Sequence, residues 1–395
     1  MSGIALVAAG AWIVFVAALV FLLVVEVVAG SRRRRPSVPS ELRVPVYAVL
    51  MPAHNEARGI SETVAAVLRQ VPPQGRLIVI ADNCTDDTAD AARAAGAEVI
   101  VRADPALRGK GHALAYGVAH LRHAPPEAVL IVDADCVPSP GSLDVLAARA
   151  VALRRPIQGL YLMLTNARAP MRIRMAAFAW AMHNELRPLG LHRLGLPCQM
   201  MGTGMALPWP CLERVSLASG HLVEDMQLGA NLAAAGFAPQ FCPDARVDSW
   251  FPEDGAGLDS QRKRWEHGHL SMILSAAPRT LWQGVGSRNL GAVALALDMC
   301  IPPLALLALF VLLSCAVAAW TASMGVTGRF VAAVAVISAL GFAAAVLLAW
   351  ARVGRRWLRL SELLAAPLYV LRKLPVYASF VVKRQKEWIR TSRHP

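Results

Sequence analysis

The stretch "AVLIVDADCVP" at residues 128–138 decides how this chain is read. An unbroken apolar run, Ala128 to Val132, leads into two aspartates, Asp133 and Asp135. Such a run fits a strand buried on both faces, as strands of parallel sheets are. Its C-terminal end is where sheets of that kind bind ligands. At strand spacing both acids share one face; otherwise both fall in the first turn beyond the strand. Two carboxylates this close repel each other, and a divalent cation relieves that cost. Hard oxygen ligands suit Mg2+ or Mn2+ held together with substrate phosphates. An isolated D-x-D is common and more often a solvated turn than a metal site.

Upstream, the same pattern repeats. "PVYAVLMPAHNEA" (45–57), "RLIVIADNCTDDT" (76–88) and "EVIVRA" (98–103) read as strands. "GISETVAAVLRQV" (59–71), "ADAARAAGA" (89–97) and "GKGHALAYGVAHLR" (109–122) read as helices between them. Strand–helix alternation with short connections predicts an α/β domain with a largely parallel sheet. Polar motifs at three strand ends, "PAHNE", "ADN" and "DAD", then converge on one site.

Several groups there carry two readings. Asp82 and Asn83 suit a ribose or base, or an Asx turn with Asp86, Asp87 and Thr88 capping the next helix. Lys110, between two glycines ahead of a helix, offers an anion cradle or an ordinary helix start. It lacks the spacing of a P-loop, so ATP hydrolysis is not read from it. Glu224 and Asp225 open a helical pattern. They are either N-terminal helix charge or a carboxylate base for an acceptor hydroxyl. "QRKRW" (261–265) reads as the positive flank of a membrane span or as part of the site.

The ends of the chain differ in kind. Hydrophobic residues make up 56% of the 395 and charged residues only 17%, with the apolar excess at the two ends. Residues 4–25 carry no charge and are long enough to span a bilayer. No cation precedes them and "SRRRRP" (31–36) follows, which fits an anchor rather than a signal peptide and puts the N-terminus outside. Residues 290–320, interrupted by Pro302-Pro303, and 330–350 predict two more spans. Asp298 is expected at a headgroup boundary or in a packed site. The tail 361–388 mixes apolar and basic residues and reads as interfacial, with a further span as the alternative. Residues 169–188 read as an amphipathic interfacial helix or as a core helix.

A net charge of +13 is drawn to membrane flanks, where anionic lipid accounts for it, and no nucleic-acid-binding signature appears. The seven cysteines form no C-x-x-C pair, which argues against a zinc site or a disulfide framework.

"MPAHNE", "IADNCTDDT", "RGKGHAL", "VDADC", "MGTGMAL", "VEDMQLG" and "QRKRW" stand in the order seen in membrane-bound family 2 glycosyltransferases. The chain resembles the catalytic domains of ceramide glucosyltransferase and of cellulose, chitin and hyaluronan synthases over residues 46–270. The resemblance implies an α/β GT-A fold, the Rossmann-like mixed sheet of nucleotide-diphospho-sugar transferases, with N- and C-terminal transmembrane helices. It implies a UDP-sugar donor and Mg2+ or Mn2+, with inversion at the anomeric carbon. Carried over by position, Glu56 and Asp82, with Pro52, hold the uridine. Lys110 and Asp133 sit by the ribose and diphosphate, and Asp135 binds the metal. Gly202, Thr203, Gly204 and Glu224 line the acceptor side and Asp225 is the base. Gln261, Arg264 and Trp265 close over the diphosphate and acceptor sugar. Val223 departs from the Thr that synthases commonly carry before Glu-Asp, which weakens the match to processive enzymes.

The expected organisation is a membrane helix (1–30), a basic linker (31–45), a cytoplasmic GT-A domain (46–289), two membrane helices (290–350) and a basic tail (351–395). The expected function is transfer of one sugar to a lipid or lipid-linked saccharide at the cytoplasmic face of the inner membrane. A homo-oligomer or export partner is left open. The alternatives are a short processive β-polysaccharide synthase and an inactive scaffold of a polysaccharide export complex.

Overall fold

In a computed structural model of the chain, residues 3–32, 43–166, 168–252, 255–323 and 329–382 are described. Most of the expected basic linker (33–42) and the end of the basic tail (383–395) lie outside them. The chain divides into two units by contact. One holds residues 43–164 and 195–296. The other holds the N-terminal helix, residues 165–194 and the chain from 297.

The first unit is built on an eight-stranded sheet. Its strands are β1 (Tyr47–Ala53), β2 (Arg76–Asp82), β3 (Glu98–Arg102), β4 (Ala128–Ile131), β5 (Val137–Pro138), β6 (Ile157–Leu164), β7 (Met205–Pro208) and β8 (Gln240–Trp250). The order is β3-β2-β1-β4-β7-β6-β8-β5. Strands β3, β2, β1 and β4 are parallel, and β7 runs antiparallel between β4 and β6. The unbroken apolar runs of β1, β2 and β4 are explained by burial on both faces. Helix Lys110–Leu121 lays Ala113, Leu114, Val118 and Leu121 onto Leu50, Ile78, Ile80, Val129 and Ile131.

From β1 the chain steps outward to β2 and β3, then returns across β1 to β4. The strand order therefore reverses at β1/β4, and a crevice opens beyond the carboxyl ends of these strands. Pro52 pairs with Ile80 and Leu50 with Ile131, so the three polar strand ends are level. The DAD motif lies in the first turn past β4, where the Cys136 amide donates to the Asp133 carbonyl at 3.0 Å.

In the second unit, helices over Leu6–Gly30, Leu304–Ser323 and Arg329–Arg352 are long and apolar enough to cross a membrane. The apolar stretch expected at 290–320 is two helices, Leu290–Met299 and Leu304–Ser323. The break falls at Pro302-Pro303, since proline donates no backbone hydrogen bond. Ile13 packs on Ala318 and Ala335, and Trp12 meets Phe310 edge-on at 4.9 Å.

Asp298 takes the packed alternative. Arg187 Nη2 donates to its Oδ1 at 2.5 Å while Arg187 Nε donates to Glu26 at 2.6 Å. Gly30 and Gly190 let the helices carrying Glu26 and Arg187 touch at backbone distance, where a Cβ on either would meet the other's carbonyl segment. Helix Met171–Ala181 buries Ile173, Met175 and Phe178, which is the core-helix reading of that stretch. It runs into a π-helical turn, Met182–Leu186.

Candidate functional site

A cleft of about 400 Å3 lies at the switch point. It is lined by residues from each of the three strand ends, among them Pro52, Glu56, Asp82, Asp133 and Asp135, together with Lys110 and Arg264. These seven expected site residues thus share one cavity. Glu224, Asp225, Gln261, Trp265 and Gly202–Gly204 are not among its lining residues.

Asp225 is nonetheless close. Gly202 adopts φ +88°. A Cβ at that position would stand 3.2 Å from Asp225 Oδ2 and 3.5 Å from Lys110 Nζ. Base candidate and ammonium therefore flank one glycine, and only a residue without a side chain leaves the gap between them open.

Lys110 stands at the start of its helix, after Gly109 at φ +123°. Its Nζ lies 2.5 Å from Asp133 Oδ1 and donates to the Gly202 carbonyl at 2.7 Å. Burial alone would lower its pKa, but Asp133, Glu224 and Asp225 outweigh burial and hold it above the usual value.

The carboxylates pay no such net benefit. Burial, and then Asp225, push Glu224 up to about 7. Burial also raises Asp225, against the pull of Lys110. Burial lowers Arg264, against the same three carboxylates. The site is a compact set of three acids and two cations held in a poorly solvated place.

Asp133 and Asp135 bring ligand atoms within 4.8 Å of each other and of the Cys136 sulfur. Two carboxylates on one turn, open to a cleft, fit a hard divalent cation. Cys136 is fully buried, and burial pushes its thiol up to about 12.

Two contributors escaped the sequence reading. Arg102, the last residue of β3, is the register partner of Asp82. Its Nη1 donates to Asp82 Oδ1 at 2.6 Å and its Nη2 to the Leu107 carbonyl at 2.8 Å. The signal was a lone arginine closing an apolar strand, which acquires meaning only once strand pairing is known. Gln158, fully buried on β6, accepts from the Met201 amide at 2.8 Å and donates to the Thr203 carbonyl at 2.9 Å. Thr203 Oγ1 in turn accepts from the Asp133 amide at 3.1 Å. The glycine loop is thereby fixed to the sheet on one side and to the acids on the other.

Gln261, Arg264 and Trp265 sit on helix Gly255–Gly286. Gln261 is 2% exposed, and its Oε1 has no hydrogen-bond partner among the described residues.

In architecture the chain is similar to the mannosyltransferase PcManGT from Pyrobaculum calidifontis, solved in complex with GDP-Man and Mn2+. That likeness has a TM-score of 0.54 at 18% identity and covers 92% of this chain and 99% of that one. In sequence it is similar to the probable glycosyltransferase YdaM of Bacillus subtilis (strain 168), with 26% identity over 249 residues. The match takes in 58% of this chain and spans little more than half, 57%, of that protein. An uncharacterized glycosyltransferase of Mycobacterium tuberculosis is 30% identical over 188 residues, or 42% of this chain and 81% of its own length. The family model described as glycosyltransferase like family 2 matches residues 45–268, which hold every strand and the cleft, and the chain belongs to that family.

Proposed function

We propose that the protein transfers a sugar from a UDP-sugar to a hydroxyl of a lipid or lipid-linked saccharide, with inversion at the anomeric carbon. One observation carries this reading: Asp225 Oδ2 and Lys110 Nζ flank Gly202 beside the cleft that holds Asp82, Asp133, Asp135 and Arg264.

Glu56 and Asp82, with Pro52, take the nucleoside end of the cleft. Arg102 holds one oxygen of Asp82 and so orients the carboxylate. Asp133 and Asp135 lie toward the diphosphate, and Asp135 is the residue that would hold a divalent cation. When bound, that cation supplies charge neutralisation at the leaving diphosphate. Arg264 adds a guanidinium able to contact phosphate through two N–H groups. Lys110 keeps Asp133 and the Gly202 loop together. Asp225 accepts the proton as the acceptor oxygen attacks C1 in line with the departing diphosphate. Gly202, Thr203, Gly204 and Glu224 border the acceptor's approach. Trp265 offers an apolar face to a pyranose, with Gln261 beside it.

The three apolar helices support an integral membrane protein. The basic residues that follow the first and last of them favour an inner-membrane protein with its sheet domain in the cytoplasm and its N-terminus outside. A lipid-borne acceptor then meets the enzyme at the membrane.

The test is a donor screen on the full chain in nanodiscs with native lipid extract. UDP-glucose, UDP-galactose, UDP-N-acetylglucosamine and GDP-mannose are compared by nucleotide release and product mass spectrometry. Asp225→Asn should abolish transfer and spare UDP binding. Near-normal turnover by that variant would overturn the base assignment. A product ladder instead of one glycolipid would replace single transfer with processive synthesis.

A further inference from the structure

After the helix Arg329–Arg352 the described chain breaks into short pieces. These are the 3-10 segments Gly354–Arg356 and Leu360–Ala365 and the helices Ala366–Leu371 and Leu374–Val382. None is long enough to span a bilayer. Their leucines point outward. Leu364 is 83% exposed, and Leu360, Leu368 and Leu371 are each more than half exposed. The four lie within twelve residues, along the 3-10 segment and the helix that follows it. An exposed apolar row of this kind marks an interaction surface.

Charge and aromatic residues frame the row. Arg355 stacks over Trp350 at 4.9 Å and Arg356 over Trp357 at 5.6 Å, with Arg372 exposed at the far end. The acid within the row, Glu362, is engaged by Arg174 at 2.8 Å and 2.5 Å, and Arg356 by Glu185 at 2.7 Å, so the surface owes its positive charge to the exposed Arg355, Arg359 and Arg372.

We propose that residues 350–374 form a docking surface for an anionic phospholipid leaflet. The leucine row enters the acyl boundary and Arg355 and Arg372 take headgroup phosphates. Three features select lipid as the occupant. The segment follows directly on a helix apolar enough to cross a membrane. Its exposed arginines suit phosphate. A basic amphipathic segment of this make-up lies in the interface plane. The proposal is independent of the reaction assigned above.

A benzophenone photo-crosslinker carried at residue 364 of the full chain, irradiated in nanodiscs, should form lipid adducts. A cross-linked dimer or the absence of any adduct would overturn the proposal. Retention of phosphatidylglycerol over phosphatidylcholine is then read by native mass spectrometry. Each of Arg355→Gln and Arg372→Gln should lower that preference about five-fold, and the pair about thirty-fold, at about 1 kcal/mol per arginine near an anionic surface. Both side chains are exposed, so the fold is not at stake, and R355K/R372K should keep the preference. An unchanged preference in the Gln pair would overturn the phosphate contacts.

Discussion

Lys110 ties Asp133 to the glycine loop: its ammonium lies 2.5 Å from Asp133 Oδ1 and 2.7 Å from the Gly202 carbonyl oxygen. The same ammonium faces Glu224 and Asp225, so one cation is shared by three carboxylates of the site.

Removing it should therefore show in more than affinity. Lys110→Met takes away the charge that favours ionised Asp225, whose pKa burial already raises. Asp225 is then protonated over a wider range, so with Asp225 as the proposed base the acid limb of the kcat/KM profile should move to higher pH. Loss of a preorganised cation also costs about 100-fold or more in kcat. A pH profile of parent and variant measures both. An unshifted limb would leave Lys110 a purely structural strut.

Glu224 gives a stability test with a definite sign. Its folded pKa is raised from 4.5 to about 7, so the folded state holds the proton more tightly than the unfolded chain. That contribution is fully present below 4.5 and lost as pH rises through about 7. Glu224→Gln keeps the neutral shape at every pH. The variant should match the parent at about pH 5 and exceed it at about pH 8, by on the order of 1–3 kcal/mol. Thermal unfolding at the two pH values checks this.

The second unit carries a comparable risk. Arg187 is the cation that Glu26 and Asp298 share, at 2.6 Å and 2.5 Å. Arg187→Met should destabilise by about 3–5 kcal/mol, because the acids stay buried without it. Adding Glu26→Gln and Asp298→Asn should recover most of the loss, which a thermal midpoint in nanodiscs can measure.

The parallel half of the sheet was legible because β1, β2 and β4 are continuous apolar runs that end in acids. The converging motifs follow from that alone, and seven of the expected residues line one cleft. What stayed hidden depends on pairing across distance. Gln158 looks like an ordinary polar residue in a strand until Met201 and Thr203 are brought to it. Arg102 reads as a strand-end charge until register sets it against Asp82. The division of the 290–320 stretch was signalled by Pro302-Pro303, whereas the Arg187 cluster that holds Asp298 was not, since its partners lie 111 and 161 residues away.

Val223, the position that departs from the synthases, has a structural counterpart in Gly268. A Cβ on Gly268 would fall 2.5 Å from Val223 Cγ1 and 3.2 Å from Cγ2. Helix Gly255–Gly286, which carries Arg264 and Trp265, therefore rests on the residue just ahead of Glu224 and Asp225 through a glycine. Gly268→Ala has to push that helix away or turn the valine, at about 1–3 kcal/mol for overpacking. Because Arg264 lies one turn earlier, the displacement should also lower kcat, about 10-fold or more, since small misplacements of positioning groups are costly. Val223→Ala alone opens a small gap and should cost less. The double variant restores room for the new methyl group, so its loss should be well below the sum of the two singles. A double-mutant cycle on both stability and kcat measures that coupling, and strict additivity would show that the two residues do not set the helix's position together.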